Sequence, residues 1–240
     1  MSADLHSGVA PRTVAVVQAR FTSVRFPGKV LRPLRGRPML AYLLEGLSHA
    51  RALDGVVLAT STDATDDAIA DFARAARIDC YRGPLDDVAA RILAAAQTRG
   101  ADALVRVNGD SPLLDPALVD LAVDLFRRAQ PDVVTNVQPR SFPKGQSVEV
   151  MSCAALSRAV AGMVTPDEHE HVTTHFYAHP DRFTIRSFVA PRPRPDLQLS
   201  VDEAADFERC EAVLAALGRS PWEAGWEACA EAYESASRIS

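Results

Sequence analysis

Between Thr13 and Asn136, five short runs rich in β-branched residues alternate with segments of helical period. The runs are TVAVV (Thr13 to Val17), GVVLAT (Gly55 to Thr60), IDCYRG (Ile78 to Gly83), ADALVRV (Ala101 to Val107) and DVVTN (Asp132 to Asn136). Between them lie PMLAYLLEGLSHA, DDAIADFARAA, DDVAARILAAAQ and PALVDLAVDLFRRA. Strand and helix repeated at this spacing predict βαβ units, and hence an α/β fold: a mostly parallel sheet with helices on both faces. The strands lack a clean polar alternation, as strands buried on both faces do. In such a sheet ligands sit beyond the carboxyl ends of the strands, where the strand order reverses. The loops after Val17, Thr60 and Val107 are therefore the places to look for a site.

From about 138 to 195 the alternation stops. An extended piece around QSVEVM, a helix near Cys153 to Met163 and another helix opening at TPDEHEHVTTHFY predict a small α+β excursion from the sheet. Thr165, Pro166 and Glu168 form a capping box with proline at the first helical position. The run RFTIRSFV is extended, and the prolines of APRPRPD make a stiff return linker. LQLSVDEAADFERCEAVLAAL then predicts one more strand and helix. In the tail, Ser220, Pro221 and Glu223 repeat the cap pattern, and Trp222, Trp226 and Tyr233 fall near one helical face, read as core packing. Residues 1–12 read as a flexible tail and 13–240 as a single domain.

The net charge of −5 gives no basic field across the surface, so nucleic acid is not an expected partner and any anion must be bound locally. No run approaches the length of a membrane span and the first residues do not read as a signal peptide, which predicts a cytoplasmic protein without a membrane partner. The four cysteines, Cys80, Cys153, Cys210 and Cys229, form no C-x-x-C pair and read as reduced thiols.

The loop after the first strand, VQARFTSVRFPGK, carries three cations, Arg20, Arg25 and Lys29, beside Ser23 and Gly28. A strand-to-helix loop with glycine and cations suits a polyphosphate, because backbone N–H groups and arginine forks both address anionic oxygens. It is neither a Walker A loop nor a G-x-G-x-x-G turn. A solvated, functionless charged loop is the competing reading of the spacing.

The string VVQARFTSVRFPGKVLRPLRGRPML resembles the opening of the cytidylyltransferases that make CMP-activated acidic sugars, in particular the spore coat polysaccharide biosynthesis branch. The pattern Q-A-R-x-x-S-x-R-x-P-G-K is matched by Gln18, Ala19, Arg20, Ser23, Arg25, Pro27, Gly28 and Lys29. RGPLDDV, NGDSPLLDP, VEV, EHVT and LSVDEAADF follow in order, so the resemblance runs from about Thr13 to Leu217. It implies a GT-A-like, Rossmann-related fold and transfer of CMP from CTP, or of another nucleotide from its triphosphate, to a small anionic sugar-like acceptor. It also implies Mg²⁺ as cofactor and a homodimer.

By the same resemblance Arg20, Arg25 and Lys29 are the catalytic cations. Gln18, Ala19, Ser23, Gly28, Arg82, Asp87 and Asn108 bind the nucleotide. Asp110 and Asp202 hold the metal, although an Asx turn and a helix cap are the ordinary readings of those two aspartates. Asp63 and Asp66 are weaker base-side candidates, and Asp115 reads as a plain N-cap. Ser147, Glu149, His171 and Thr173 line the acceptor site, where Ser147 stands in place of the branch's usual aspartate and Gln198 in place of a common arginine. His169, His171 and His175 also raise zinc, but H-E-x-x-H fails at Thr173 and ordinary helix histidines are preferred. A glycosyltransferase of the same architecture, using a sugar nucleotide, and a non-catalytic nucleotide-binding homologue remain as alternatives.

Overall fold

The computed structural model describes residues 10–237. Most of the expected tail lies outside them, while Arg12 is tied down by its main-chain N–H to Asp102 (2.9 Å). In chain order the elements are β1 (Thr13–Gln18), β2 (Pro33–Leu34), β3 (Arg37–Pro38), α1 (Met39–Ser48), β4 (Gly55–Ser61), α2 (Asp67–Ala76), β5 (Asp79–Gly83), α3 (Val88–Thr98), β6 (Ala103–Asn108) and α4 (Pro116–Ala129). There follow β7 (Val133–Thr135), β8 (Glu149–Ser152), α5 (Cys153–Gly162), α6 (Pro166–His171), α7 (Thr174–Ala178), β9 (Ile185–Ser187), α8 (Ala204–Leu217), α9 (Pro221–Ala224) and α10 (Trp226–Ser237).

Seven strands form one sheet in the order β5-β4-β1-β6-β8-β7-β9. β1, β4, β5 and β6 are parallel, and β8 runs antiparallel between β6 and β7. Successive strand residues supply two separate cores. Ala15, Val17, Leu58, Val105, Val107 and Val150 face a layer built from α1, α4, α8 and α10, and Val14, Val16, Val57, Leu104 and Met151 face α3, α5 and α7. Because both faces are covered, alternation carries no polar signal, which is why these strands read as continuous apolar runs.

Chain order reverses between β1 and β6: the chain goes outward through β4 and β5, then returns to the other side of β1. This is the switch point expected for a ligand crevice. Asp87, Asp115, Ser152 and Thr165 accept from main-chain N–H groups in the first turns of their helices, as caps do.

Four expectations are corrected. The 138–195 section is not wholly an excursion: Glu149–Ser152 and Ile185–Ser187 are strands of the sheet, and α5, α6 and α7 between them lie off it. LQLS is no strand and keeps a single bridge, Gln198 to Lys144, because Ser200 and Val201 turn toward the β6 loop. The helix expected across EHVTTHFY is broken at Val172, whose φ of 53° no α-helix tolerates and whose side chain is fully buried. The tail helix is broken at Gly225 (φ 82°), so Trp222 stacks on His49 at 5.5 Å while Trp226 packs edge-on against Phe142 at 5.2 Å.

All four cysteines are free. Burial raises each thiol, Cys153 to about 11 and Cys229 to about 12, which favours the protonated form.

Candidate active site

At the carboxyl end of β1 the chain folds back on itself over Phe21. The carbonyl of Phe21 accepts from Ser23 N and Gly28 N, both at 2.9 Å, while Phe21 N donates to buried Asp66 (2.7 Å). Asp66 also accepts from Ser61 N (3.0 Å), so the loops after β1 and β4 are pinned together. Gly28 has φ 70°, and a Cβ there would lie 2.9 Å from the Phe21 ring. Only glycine closes this turn without displacing the ring. The turn delivers Lys29 inward, 7% exposed, while Arg20 and Arg25 stay in solvent reach.

Lys29 Nζ donates to the Val201 carbonyl (2.6 Å) and to Asp110 Oδ2 (3.1 Å), and lies 3.6 Å from Asp202 Oδ1. Asp202 also meets Arg25 Nη2 at 3.1 Å and accepts from Gln198 Nε2 at 3.2 Å. Val201 N donates to the Asp110 carbonyl (2.9 Å), a main-chain tie that fixes the two aspartates against each other. Two carboxylates, each a quarter or more exposed, thus converge on one buried ammonium. This donor set fits a hard divalent cation, which takes one or two carboxylates and keeps several waters. It answers the two ordinary readings, since neither aspartate is consumed by a turn or cap: the residue accepting from Asp202 N and Glu203 N is Asp206.

These groups open on a cleft of about 350 Å³. Gln18, Ala19, Arg20, Ser23, Arg25, Lys29, Asn108, Asp110, His171 and Asp202 all line it, together with Arg91, Arg106 and Glu170. Asn108 Oδ1 is buried without a partner among the described residues, an unmet acceptor at the end of β6. Arg20 Nη2 reaches Glu170 Oε1 at 2.6 Å across the mouth, which holds the Glu170 carboxyl below its usual range.

The structure does not bring the remaining candidates to the cleft. Arg82 is spent on the Ser61 carbonyl (2.8 Å), the Asp63 carbonyl (2.9 Å) and Asp67 (2.7 Å), and so braces the loop after β4. Asp87 caps α3 and lies 3.0 Å from His169 Nδ1. Asp63 accepts from Thr65 and Asp66 from the protein's own N–H groups, and neither lines the cleft. Ser147 accepts from Arg140 (3.2 Å), and Thr173 is buried against the His171 carbonyl. Glu149 is buried in an ion pair with Arg106 (2.7 Å).

The three histidines do not form a zinc site: His171 and His175 lie on different helices. Among the described residues the cluster of ligand type is instead Glu168, His175 and His179. Glu168 is already engaged there by Val164 N, Thr165 N and His175 Nδ1.

Arg91 and Arg106 were not singled out from the sequence. Arg91 sits in the amphipathic pattern of α3 and is 2% exposed, with Nη1 donating to the Pro84 and Leu85 carbonyls. Arg106 is hidden inside an apolar strand. A charge in a run otherwise buried on both faces was the available signal for Arg106.

The profile of the cytidylyltransferase family matches residues 14–223. The chain is 27% identical to the spore coat polysaccharide biosynthesis protein SpsF of Bacillus subtilis over 213 residues, covering 86% of this chain and 88% of that one. It is 31% identical to a 3-deoxy-manno-octulosonate cytidylyltransferase of Anaeromyxobacter over 216 residues, covering 82% and 84%. Among solved structures, a cytidylyltransferase from Leptospira borgpetersenii superposes with a TM-score of 0.89 at 26% identity, over 95% of this chain and 96% of that one. A CMP:2-keto-3-deoxy-manno-octonic acid synthetase in complex with CTP superposes at 0.67 and 18% identity, over 85% and 99%. A Mycobacterium tuberculosis protein in complex with manganese superposes at 0.57 and 20% identity, over 84% and 98%, and with the synthetase it shares the fold. With the family profile matched over residues 14–223, and with the cleft of cations and paired carboxylates lying at the switch point of the sheet, this chain belongs to the cytidylyltransferase family of nucleotidyltransferases.

Proposed function

We propose that the protein transfers CMP from CTP to a sugar acid or a related anionic acceptor, with magnesium as the metal and release of pyrophosphate. The observation that carries this reading is the convergence of Arg20, Arg25 and Lys29 with Asp110 and Asp202 in one cleft. Relatives whose names specify 3-deoxy-manno-octulosonate, and a fold neighbour in complex with CTP, support the choice of nucleotide and acceptor class. Surface polysaccharide or glycoconjugate synthesis, a homodimer and a cytoplasmic location belong to the same proposal. No described helix is long and apolar enough to cross a membrane.

In this reading an acceptor oxygen attacks the α-phosphorus, the bond to pyrophosphate breaks, and the acceptor hydroxyl's proton passes to solvent. Arg20 and Arg25 exchange Glu170 and Asp202 for phosphate oxygens as the triphosphate enters. Lys29, already desolvated, offsets the charge growing on the leaving pyrophosphate, where a fixed cation is worth most. Magnesium at Asp110 and Asp202 would supply Lewis-acid charge stabilisation. Unmet Asn108 Oδ1 would accept a hydrogen bond from the nucleotide.

A thermal-shift screen of CTP, UTP, GTP, ATP and their nucleotide sugars, with and without Mg²⁺, tests the donor. CTP should raise the midpoint in a Mg²⁺-dependent way, and pyrophosphate release should follow with 3-deoxy-manno-octulosonate or another sugar acid. Stabilisation by a sugar nucleotide alone would overturn the reading in favour of glycosyl transfer.

A further inference from the structure

Glu149 is expected to touch the acceptor, but its oxygens are committed elsewhere. Oε2 meets Arg106 Nη1 at 2.7 Å, Oε1 accepts from Tyr177 O–H at 2.6 Å, and the residue is 3% exposed. Tyr177 is itself fixed by Thr135 at 2.8 Å. Arg106 and Glu149 stand directly opposite each other across the β6–β8 ladder, a pairing the register enforces. On its other side Arg106 Nε donates to Gln18 Oε1 (3.2 Å). Nη2 therefore has no protein partner among the described residues, and Arg106 lines the cleft.

An arginine held at Nε and Nη1, with one nitrogen uncommitted and the residue lining a ligand cleft, is a preformed cationic donor for an anion. Its place decides which anion. The triphosphate cations follow β1, and the loops after β4 and β5 lie beyond them on one side. Arg106 is braced from the other side by β8 and α7, which come from the 138–195 section. On the same strand and face, Asn108 stands two residues nearer the carboxyl end, so Arg106 lies about 7 Å further back along the strand, and both line the cleft.

We propose that Arg106 binds the anionic group of the acceptor, a carboxylate or a phosphonate-type group, and that Glu149 is the positioning residue that aims it. The proposal rests on the nucleotidyl-transfer reading and refines its acceptor side.

The probes are pyruvate and methylphosphonate, with acetone and dimethyl sulfoxide as neutral controls, titrated into protein saturated with α,β-methylene-CTP and Mg²⁺ and followed by saturation-transfer NMR of their methyl groups. At least one anion should bind and neither neutral control should. Arg106→Gln should weaken that anion by about tenfold or more, the loss of a charge-assisted hydrogen bond, with the affinity for the CTP analogue unchanged. Pyruvate binding alone assigns a carboxylic acid acceptor, and methylphosphonate binding alone a phosphonate or phosphate.

Because Arg106→Gln leaves Glu149 buried and unpaired, the double variant Arg106→Gln/Glu149→Gln is measured beside it, and the same loss is expected. Arg106→Lys, which keeps the positive charge but not the planar guanidinium braced at Nε and Nη1, should recover only part of the affinity. Glu149→Gln should weaken the anion and leave the CTP analogue untouched, which a merely structural role would not do. Anion binding unaffected in both Arg106 variants, or absent from the analogue-loaded wild type, overturns the proposal. Loss of the analogue in those variants also overturns it, by giving Arg106 to the nucleotide. Failure of the analogue to bind the wild type would instead sink the nucleotidyl-transfer reading.

Discussion

Lys29 Nζ sits between the Val201 carbonyl and the carboxylates of Asp110 and Asp202, so its ammonium offsets part of their charge in the free protein. Lys29→Ala should lower kcat/KM at least about a hundredfold, on the order of 3 to 4 kcal/mol of transition-state stabilisation. The same change should tighten Mn²⁺ binding to nucleotide-free protein, read by electron paramagnetic resonance, because the competing charge is gone. Unchanged turnover would remove Lys29 from the chemistry, and unchanged Mn²⁺ affinity would show that the ammonium does not compete.

Glu168 gives a second prediction at this scale. Hydrogen bonds from Val164 N, His175 and Thr165 hold its carboxyl at about 2, below the ordinary 4.5. A depressed carboxylate contributes stability that is complete above pH 4.5 and is lost as pH falls toward 2. Thermal midpoints should drop across that window, and less steeply in Glu168→Gln. A parallel drop in both proteins would assign the acid sensitivity elsewhere. The three loop cations were legible because charge is conspicuous in a glycine-bearing turn. The internal commitments of Arg82 and Glu149 were not, since no linear pattern says which neighbour a long side chain will find.

At the scale of elements, the decisive piece is the bridge that carries Asp202 to β6. Gly145 has φ 93°, and a Cβ there would lie 2.5 Å from Ser200 N and 2.6 Å from the Leu199 carbonyl carbon. Gly145→Ala should therefore cost about 2 kcal/mol or more in urea unfolding, since main chain cannot step aside as a side chain can. It should also weaken Mg²⁺-dependent CTP binding by displacing Asp202, whereas an unaltered urea midpoint would mean the two segments separate freely. Sequence pattern found the parallel strands and the long helices because periodicity survives over ten residues. It missed β8's place in the sheet and the break at Val172, where a three- or four-residue strand and one positive φ leave no periodic trace.

For the whole molecule, the contrast is between a chain of net charge −5 and a cleft lined by five cations and three carboxylates. Local focusing of this kind draws a triphosphate in while the rest of the surface repels polyanions. The KM for CTP should rise as salt increases from about 0.05 to 0.5 M, with the Debye length shrinking from about 14 to 4 Å, while the thermal midpoint changes little. A salt-independent KM would indicate that the cations act only on the bound nucleotide.

The tie between Val201 N and the Asp110 carbonyl has a further consequence, one of timing. The cation loop and Asp110 leave the ribosome long before the segment that delivers Asp202. Until that segment emerges, the nascent chain presents a half-built pocket: phosphate-attracting arginines with one carboxylate, and a lysine lacking its carbonyl anchor. The pocket is completed in one late step, when Val201 reaches the Asp110 carbonyl and Asp202 comes to face Lys29.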